Sequence, residues 1–145
     1  MSQAPESALV SRLLVVDDDL IQRRLIAKIA AQAGHEVAQA CSVAEAEAIL
    51  AQTCLEQRPF DCVTVDLGLT DGVGADLLHL TAEKCPGARV LIVTGETGHL
   101  LDDTLTIARE HEIEIAHIFI KPLDLVGLRD ALKRERESLA RRSAA

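Results

Sequence analysis

The chain of 145 residues has no Trp, no Tyr and only two Phe, Phe60 and Phe119. Proteins that read single-stranded nucleic acid stack bases on aromatic rings, so that class is excluded. Positive charge is scarce as well: 15 Lys and Arg stand against 23 Asp and Glu, a formal net charge of -8. Wrapping a DNA backbone needs clustered Lys and Arg, and this balance argues against it. No apolar run approaches the ~20 residues that cross a bilayer; near the start the longest is Leu13-Leu14-Val15-Val16. The first eleven residues lack the basic opening of a secretory signal. The four cysteines (Cys41, Cys54, Cys62 and Cys85) form no C-x-x-C pair. They are expected to be small buried hydrophobes in a reducing cytoplasm. The five histidines are scattered, and none is assigned to a metal.

What the chain does have is aliphatic bulk. Hydrophobic residues make up 48% of it, which excludes disorder and suits one domain with a core of Val, Leu, Ile and Ala. Five short strand-like runs are expected at 12–17, 36–40, 61–66, 89–94 and 115–120. Helical patterns fall between and after them, at 20–33, 43–57, 75–84, 99–112 and 123–139. Three of the strands contain nearly continuous apolar runs (LLVV, CVTV, VLIV), as when helices cover both faces. The punctuation agrees: Gly34 stops the first helix, Ser42 with Glu45 caps the second, and Pro86-Gly87 closes the third. Repeated βα alternation predicts an α/β fold, a flavodoxin-like (βα)5 three-layer sandwich with a parallel five-stranded sheet of order 2-1-3-4-5. Residues 11–138 would form the domain, with flexible tails at 1–10 and 139–145.

In such sheets, sites form beyond the carboxyl ends of the strands where the strand order reverses, here between strands 1 and 3. Strand 1 ends in Asp17-Asp18-Asp19 and strand 3 in Asp66. Carboxylates about 4 Å apart repel by roughly 4 kcal/mol at an effective dielectric of 20. A hard divalent cation removes that repulsion, and oxygen-only ligands favour Mg2+ over zinc. Asp19 doubles as a candidate N-cap of the first helix. Thr94-Gly95 ends strand 4 with a hydroxyl and open space, and Lys121-Pro122 ends strand 5 with an ammonium. These are the group types that hold a metal and a phosphoryl oxygen.

The ordered set LLVVDDD (13–19), CVTVDLGLTDGVGADLL (62–78), VLIVTGET (90–97) and FIKPL (119–123) resembles the receiver domain of two-component response regulators. The resemblance spans residues 11–135. It implies that Asp66 is the phosphoacceptor, that Asp17, Asp18, Asp66 and the backbone carbonyl of Gly68 hold Mg2+, and that Thr94 and Lys121 bind phosphoryl oxygens. The donor would be a phosphohistidine on a histidine kinase or histidine phosphotransfer protein. The chain would then be no conventional enzyme but a phosphoacceptor that gains and loses its own phosphoryl group.

Two departures stand out. Thr70 occupies a position where the family usually has Pro, so the loop after Asp66 should be more mobile. Ile118 occupies the position where the family often has an inward-swinging Tyr or Phe. Phe119 is adjacent, but strand alternation points it to the opposite face. The surface readout is therefore expected to differ from the usual one.

The last helix ends in KRERESLARR (133–142), read as an exposed helix rather than a nucleic-acid contact. No DNA-binding motif follows, so a stand-alone or excised cytoplasmic receiver is expected, acting through contact with a downstream protein, without DNA or membrane binding. Leu100, Leu101, Leu105 and Ile107 exceed one buried stripe, which suggests pairing with a partner or a second copy through the fourth helix, fifth strand and fifth helix. Two other readings stay open. One is a receiver-like binding module that works without phosphorylation. The other is a phosphohydrolase resembling the haloacid dehalogenase family, with Asp17 and Asp19 as its Asp-x-Asp.

Overall fold

The structure, a computed structural model, describes residues 10–68, 74–95 and 99–144. Five strands alternate with five helices: β1 (Ser11–Val16), α1 (Leu20–Gln32), β2 (His35–Ala40), α2 (Val43–Leu55), β3 (Cys62–Asp66), α3 (Gly74–Lys84), β4 (Arg89–Thr94), α4 (His99–Glu110), β5 (Glu114–Ile120) and α5 (Leu125–Ala144). The strands form one parallel sheet in the order β2-β1-β3-β4-β5, as the alternation predicts. Thr70 and its loop neighbours lie outside the described residues, as do residues 1–9 of the expected N-terminal tail.

Alternation along the strands divides the core in two. Leu14, Val16, Val63, Val65, Val90 and Ile92 face Ala46 and Leu50 of α2, Leu77 and Leu78 of α3, and Ala108 of α4. Leu13, Val15, Leu91 and Val93 face the other way, onto Ile26, Ile29 and Ala30 of α1 and Leu128 and Leu132 of α5. Burying each such side chain contributes about 1.5–3 kcal/mol, so a one-residue slip of a central strand would exchange the two faces and forfeit many of these contacts. Register is thereby fixed, with Val16 beside Ala40 and Asp66 beside Val93.

The helix starts are capped by the residues the sequence suggests. The Asp19 side chain accepts from the Gln22 backbone N–H, and that of Ser42 from Glu45. Gly34 takes φ +100°, a left-handed conformation that only glycine adopts without strain, and so turns the chain from α1 into β2.

Three expectations are corrected. Only Cys62 and Cys85 are buried; Cys41 follows β2 in a bend, and Cys54 lies on the outer side of α2, both exposed. The last helix continues to Ala144, so residues 139–144 are helical rather than a tail; nothing from Ser138 to Ala144 is Gly or Pro. Finally, Glu135 is not on an exposed face. It lies seven residues beyond buried Leu128 on the same stripe of α5, and its carboxylate meets Arg89 Nε at 2.5 Å and His117 Nε2 at 3.4 Å.

His35, at the start of β2, is a second buried polar tie. Its Nε2 lies 2.8 Å from the Leu132 carbonyl, which can only accept, so Nε2 carries the hydrogen; Nδ1 then accepts from the Ser11 hydroxyl at 2.8 Å. Burial, followed by the charge of Arg136, pushes the ring's pKa below its ordinary value against the pull of the Leu132 hydrogen bond. A histidine whose folded pKa is lowered binds fewer protons than in the unfolded chain. Stability is therefore lost as pH falls below about 6.5, the unfolded value, toward the lowered one. Urea unfolding between pH 7 and pH 5 should show this loss, and His35→Gln should flatten the pH dependence while costing about 1–3 kcal/mol at pH 7. An unflattened slope would remove His35 from the account.

Candidate functional site

The carboxyl ends of β1, β3, β4 and β5 meet at one edge of the sheet. There Asp17, Asp18 and Asp66 each place a carboxylate oxygen within 4.8 Å of those of the other two. Asp17 is 1% and Asp66 5% exposed, whereas Asp18 faces solvent. Hard anionic oxygens converging from two strand ends form the donor set that suits Mg2+, a cation held by a few carboxylates with water completing its shell. Among the described residues this is the one group of three or more His, Cys, Asp or Glu with such spacing.

Each remaining site residue stands beside this cluster. Lys121 Nζ donates to Asp66 Oδ2 at 2.9 Å, and the Gly68 backbone N–H donates to Asp66 Oδ1 at 2.9 Å. Thr94 is fully buried at the end of β4, and its carbonyl accepts from the Lys121 backbone N–H at 2.8 Å. A Cβ added at Gly95 would meet only Lys121 Cδ, at an ordinary 3.7 Å, so this glycine leaves room beside the ammonium. Asp17, Asp18, Asp66, Gly68, Thr94 and Lys121 thus share one edge.

Asp19 does not join the cluster. Its carboxylate Oδ1 is taken by the Gln22 backbone N–H at 3.1 Å, which leaves the Asp17/Asp19 pairing of a phosphohydrolase without its second member.

Two residues of the site had no signal in the sequence. Gln22 Nε2 donates to Asp17 Oδ2 at 2.6 Å, while the Asp19 backbone N–H donates to Oδ1 at 2.9 Å. Arg23 reaches the Asp17 carbonyl at 3.1 Å and Gln39 Oε1 of β2 at 3.3 Å. Amphipathic spacing places both in the first turn of α1, but does not show that they reach back across it.

Burial raises the Asp17 pKa above the ordinary carboxylate value, against the hydrogen bonds from Gln22 and Asp19, and the charge of Asp66 adds to the rise. For Lys121, burial works to lower the pKa, but the Asp66 hydrogen bond and the charges of Asp66, Asp17 and Asp19 outweigh it and raise it.

Strand β5 is where the site meets the surface. Beyond an irregularity between Val90 and Leu91, Leu91 pairs with His117, Ile92 with Ile118 and Thr94 with Ile120. Ile118 and Ile120 are 41% and 44% exposed. Phe119 packs half-buried against the opposite core and stacks on His117, with ring centroids 6.0 Å apart. The alternation expected for Ile118 and Phe119 is therefore observed. On α4, Leu100, Leu101 and Leu105 lie partly buried against the core and Ile107 is half-buried, so Ile118 and Ile120 of β5 are more exposed than any of the four.

A family model described as "Response regulator receiver domain" matches residues 13–133. Photosynthetic apparatus regulatory protein RegA of Cereibacter sphaeroides is 37% identical over 83 residues, 57% of this chain and 42% of that protein. Alginate biosynthesis transcriptional regulatory protein AlgB of Pseudomonas aeruginosa is 28% identical over 152 residues, 92% of this chain and 32% of that protein. The chain therefore spans less than half the length of these curated relatives. Among solved structures, a CheY-like receiver domain protein of Methanospirillum hungatei superposes with a TM-score of 0.74 at 22% identity, over 92% of this chain and 98% of that one. A Burkholderia pseudomallei response regulator, solved with a phosphorylated aspartic acid, calcium ion and citrate, has a TM-score of 0.67 at 24% identity, over 92% and 73%.

Replacing Lys121 by Met should destabilise the metal-free protein by about 1–2 kcal/mol at pH 7, between the effects known for exposed and for buried ion pairs. The lost cation holds its stabilisation below its raised pKa, so the deficit is complete at neutral pH. It should shrink as pH rises above about 10.5, the ordinary lysine value, toward the raised one, where the wild-type ammonium gives up its charge. Chemical denaturation of both proteins at pH 7 and near pH 11 checks this, and an equal deficit at the two pH values would contradict it.

Proposed function

Since this chain belongs to the response regulator receiver domain family, we propose that Asp66 is the phosphoacceptor of a two-component phosphorelay. The donor is a phosphohistidine on a histidine kinase or histidine phosphotransfer protein. The observation that carries this reading is one nearly buried carboxylate, Asp66, bonded to Lys121 at 2.9 Å and sharing its edge with two further carboxylates. An Asp66 oxygen attacks phosphorus in line with the P–N bond of the donor. As the new P–O bond forms, the P–N bond breaks, and the histidine nitrogen leaves with the electron pair and takes a proton from solvent water.

The chain's own groups do the positioning. The Gly68 N–H orients the carboxylate through Oδ1, which leaves Oδ2 and the Lys121 ammonium facing the incoming group. Lys121 then pairs with one phosphoryl oxygen, and the Thr94 hydroxyl donates to another. Asp17, Asp18, Asp66 and the Gly68 carbonyl would hold Mg2+, which when bound neutralises charge on the transferring oxygens. Water attacking the acyl phosphate in the same site returns Asp66 to its free form.

Two helix starts flank these groups, and both offer apolar surface to a helical partner. Ile21 of α1 is 81% exposed, beside exposed Leu20; Leu125 and Val126 open α5 just after Lys121. Such a surface seats the donor protein beside Asp66. Output passes through protein contact, and exposed Ile118 and Ile120 mark the α4–β5–α5 face for a downstream protein or a second copy. Among the described residues no helix is long and apolar enough to cross a membrane, and a cytoplasmic site of action follows from the proposed donor.

The test is direct. With a small phosphodonor and Mg2+, the protein should take up one acid-stable, alkali-labile phosphoryl group, and Asp66→Asn should take up none. Undiminished labelling of Asp66→Asn would overturn the reading. Equal partner affinity with and without beryllofluoride would instead favour a binding module indifferent to phosphorylation, a reading that the exposed Ile118 keeps in view. Mg2+ at ten times its dissociation constant should also add about 1.4 kcal/mol to the unfolding free energy. Asp18→Asn should abolish most of that gain, since the exposed Asp18 side chain supports the ion rather than the core.

A further inference from the structure

We propose that Gln22 is a positioning residue: its neutral carboxamide fixes the Asp17 carboxylate without adding charge, and so sets the divalent-cation affinity of this receiver. The inference rests on the reading of Asp17, Asp18 and Asp66 as the cation site. A carboxylate only accepts hydrogen bonds, so the Gln22 amide must present its NH2 to Asp17 Oδ2, at 2.6 Å. The other oxygen is held by the Asp19 backbone N–H at 2.9 Å. One donor on each oxygen locks the rotation of the group and still leaves each oxygen lone-pair capacity for a metal-bound water or the metal itself.

The clamp is anchored at its own base. The Gln22 backbone N–H is bonded to Asp19 Oδ1, so the residue is tied to the 17–19 turn at both ends. The next residue steadies the backbone beneath it. Arg23 donates Nη1 to the Asp17 carbonyl and Nε to Gln39, which ties β1, α1 and β2 together behind the carboxylate. Asp17 is therefore pre-set before any cation arrives, whereas exposed Asp18 is left to adjust.

Neutrality is the second half of the inference. The three clustered carboxylates and the Lys121 ammonium carry a formal charge of -2 when ionised, and Arg23 and Asp19 beside them cancel one another. That matches a divalent cation. A Lys at position 22 could also donate to Asp17, but it would place a competing positive charge on a carboxylate of the cluster. A Glu would repel Asp17. An amide orients and does neither. Groups that orient metal ligands in this way typically govern 10–100-fold in affinity.

Mn2+ binding followed by loss of the free-ion electron paramagnetic resonance signal, with Mg2+ as competitor, reads the affinity without requiring any phosphotransfer. Gln22→Met keeps the side-chain length and removes the donor; it should weaken Mn2+ and Mg2+ binding at least tenfold. Gln22→Lys should weaken them as well, because donation alone is not sufficient. Exposed Arg24→Ala should leave them unchanged. Labelling of Asp66 in Gln22→Met should need at least tenfold more Mg2+ for half-maximal rate yet reach the wild-type maximum, while the metal-free unfolding midpoint falls because Asp17 Oδ2 loses its donor. A purely structural role would move the midpoint and leave the Mg2+ requirement alone. Wild-type affinity in Gln22→Met overturns the proposal, and wild-type affinity in Gln22→Lys overturns its neutrality argument. Failure of the wild-type protein to bind either ion overturns instead the cation site on which the proposal stands.

Discussion

Everything at the functional edge of this molecule is arranged around the mutual repulsion of three carboxylates held within 4.8 Å. At an effective dielectric of 20, each pair at that spacing repels by about 3.5 kcal/mol. A whole domain is stable by only about 5–15 kcal/mol. The Lys121 ammonium, at 2.9 Å from Asp66, returns about 6 kcal/mol on the same scale. That offsets the larger part of what Asp66 suffers but little of what Asp17 does, since Asp17 lies in the interior with only neutral donors on its oxygens. Burial raises its pKa, and the charge of Asp66 adds to that rise. The edge is thus short of positive charge, a condition that a divalent cation relieves.

Such a site survives because the sheet behind it is held from both faces. Leu13 and Val15 lock β1 against α1 and α5, while Leu14 and Val16 lock it against α2 and its neighbours. Every residue of β3 is buried, so Asp66 cannot retreat from the cluster without breaking the register that pairs it with Val93. Apolar packing, distributed over some dozen aliphatic side chains, opposes a repulsion concentrated at one point. The aromatic poverty of the chain fits this division: the core is built mostly of aliphatics, with Phe60 in one half of it and Phe119 packed against the other.

How much of this was legible in the sequence depends on whether an interaction is set by periodicity or by reach. Strand alternation, cap residues and the terminal Asp17, Asp18, Asp66, Thr94 and Lys121 follow from spacing along single elements, and the topology then collects their carboxyl ends. Glu135 was within reach of the same logic, because positions 128, 131, 132 and 135 share one stripe of α5. Its charge argued for the surface, and the partners that make burial tolerable, Arg89 and His117, sit 46 and 18 residues away in the chain. Gln22 and Arg23 were invisible for a related reason. A first-turn side chain folding back on the preceding strand has no period. Exposure of Cys41 and Cys54 shows the converse error, in which a residue type common in cores is assigned there without asking which face it occupies.

The same distinction decides how a change at Asp66 could travel. On the proposed reading, the family's inward-moving ring has no counterpart, for Phe119 packs half-buried against the core on the far face and stacks on His117. What remains is shorter and runs through the backbone. Lys121 joins Asp66 by its ammonium and joins the Thr94 carbonyl by its own N–H at 2.8 Å. Thr94 is in turn paired with Ile120, which shares an exposed side of the edge strand with Ile118. A phosphoryl group that draws the ammonium and the Thr94 hydroxyl together pulls on both strand ends at once. The nearest unsupported surface is then the aliphatic pair on β5. The end of the edge strand that bears these two exposed isoleucines is paired on one side only, and there such a pull reaches the surface.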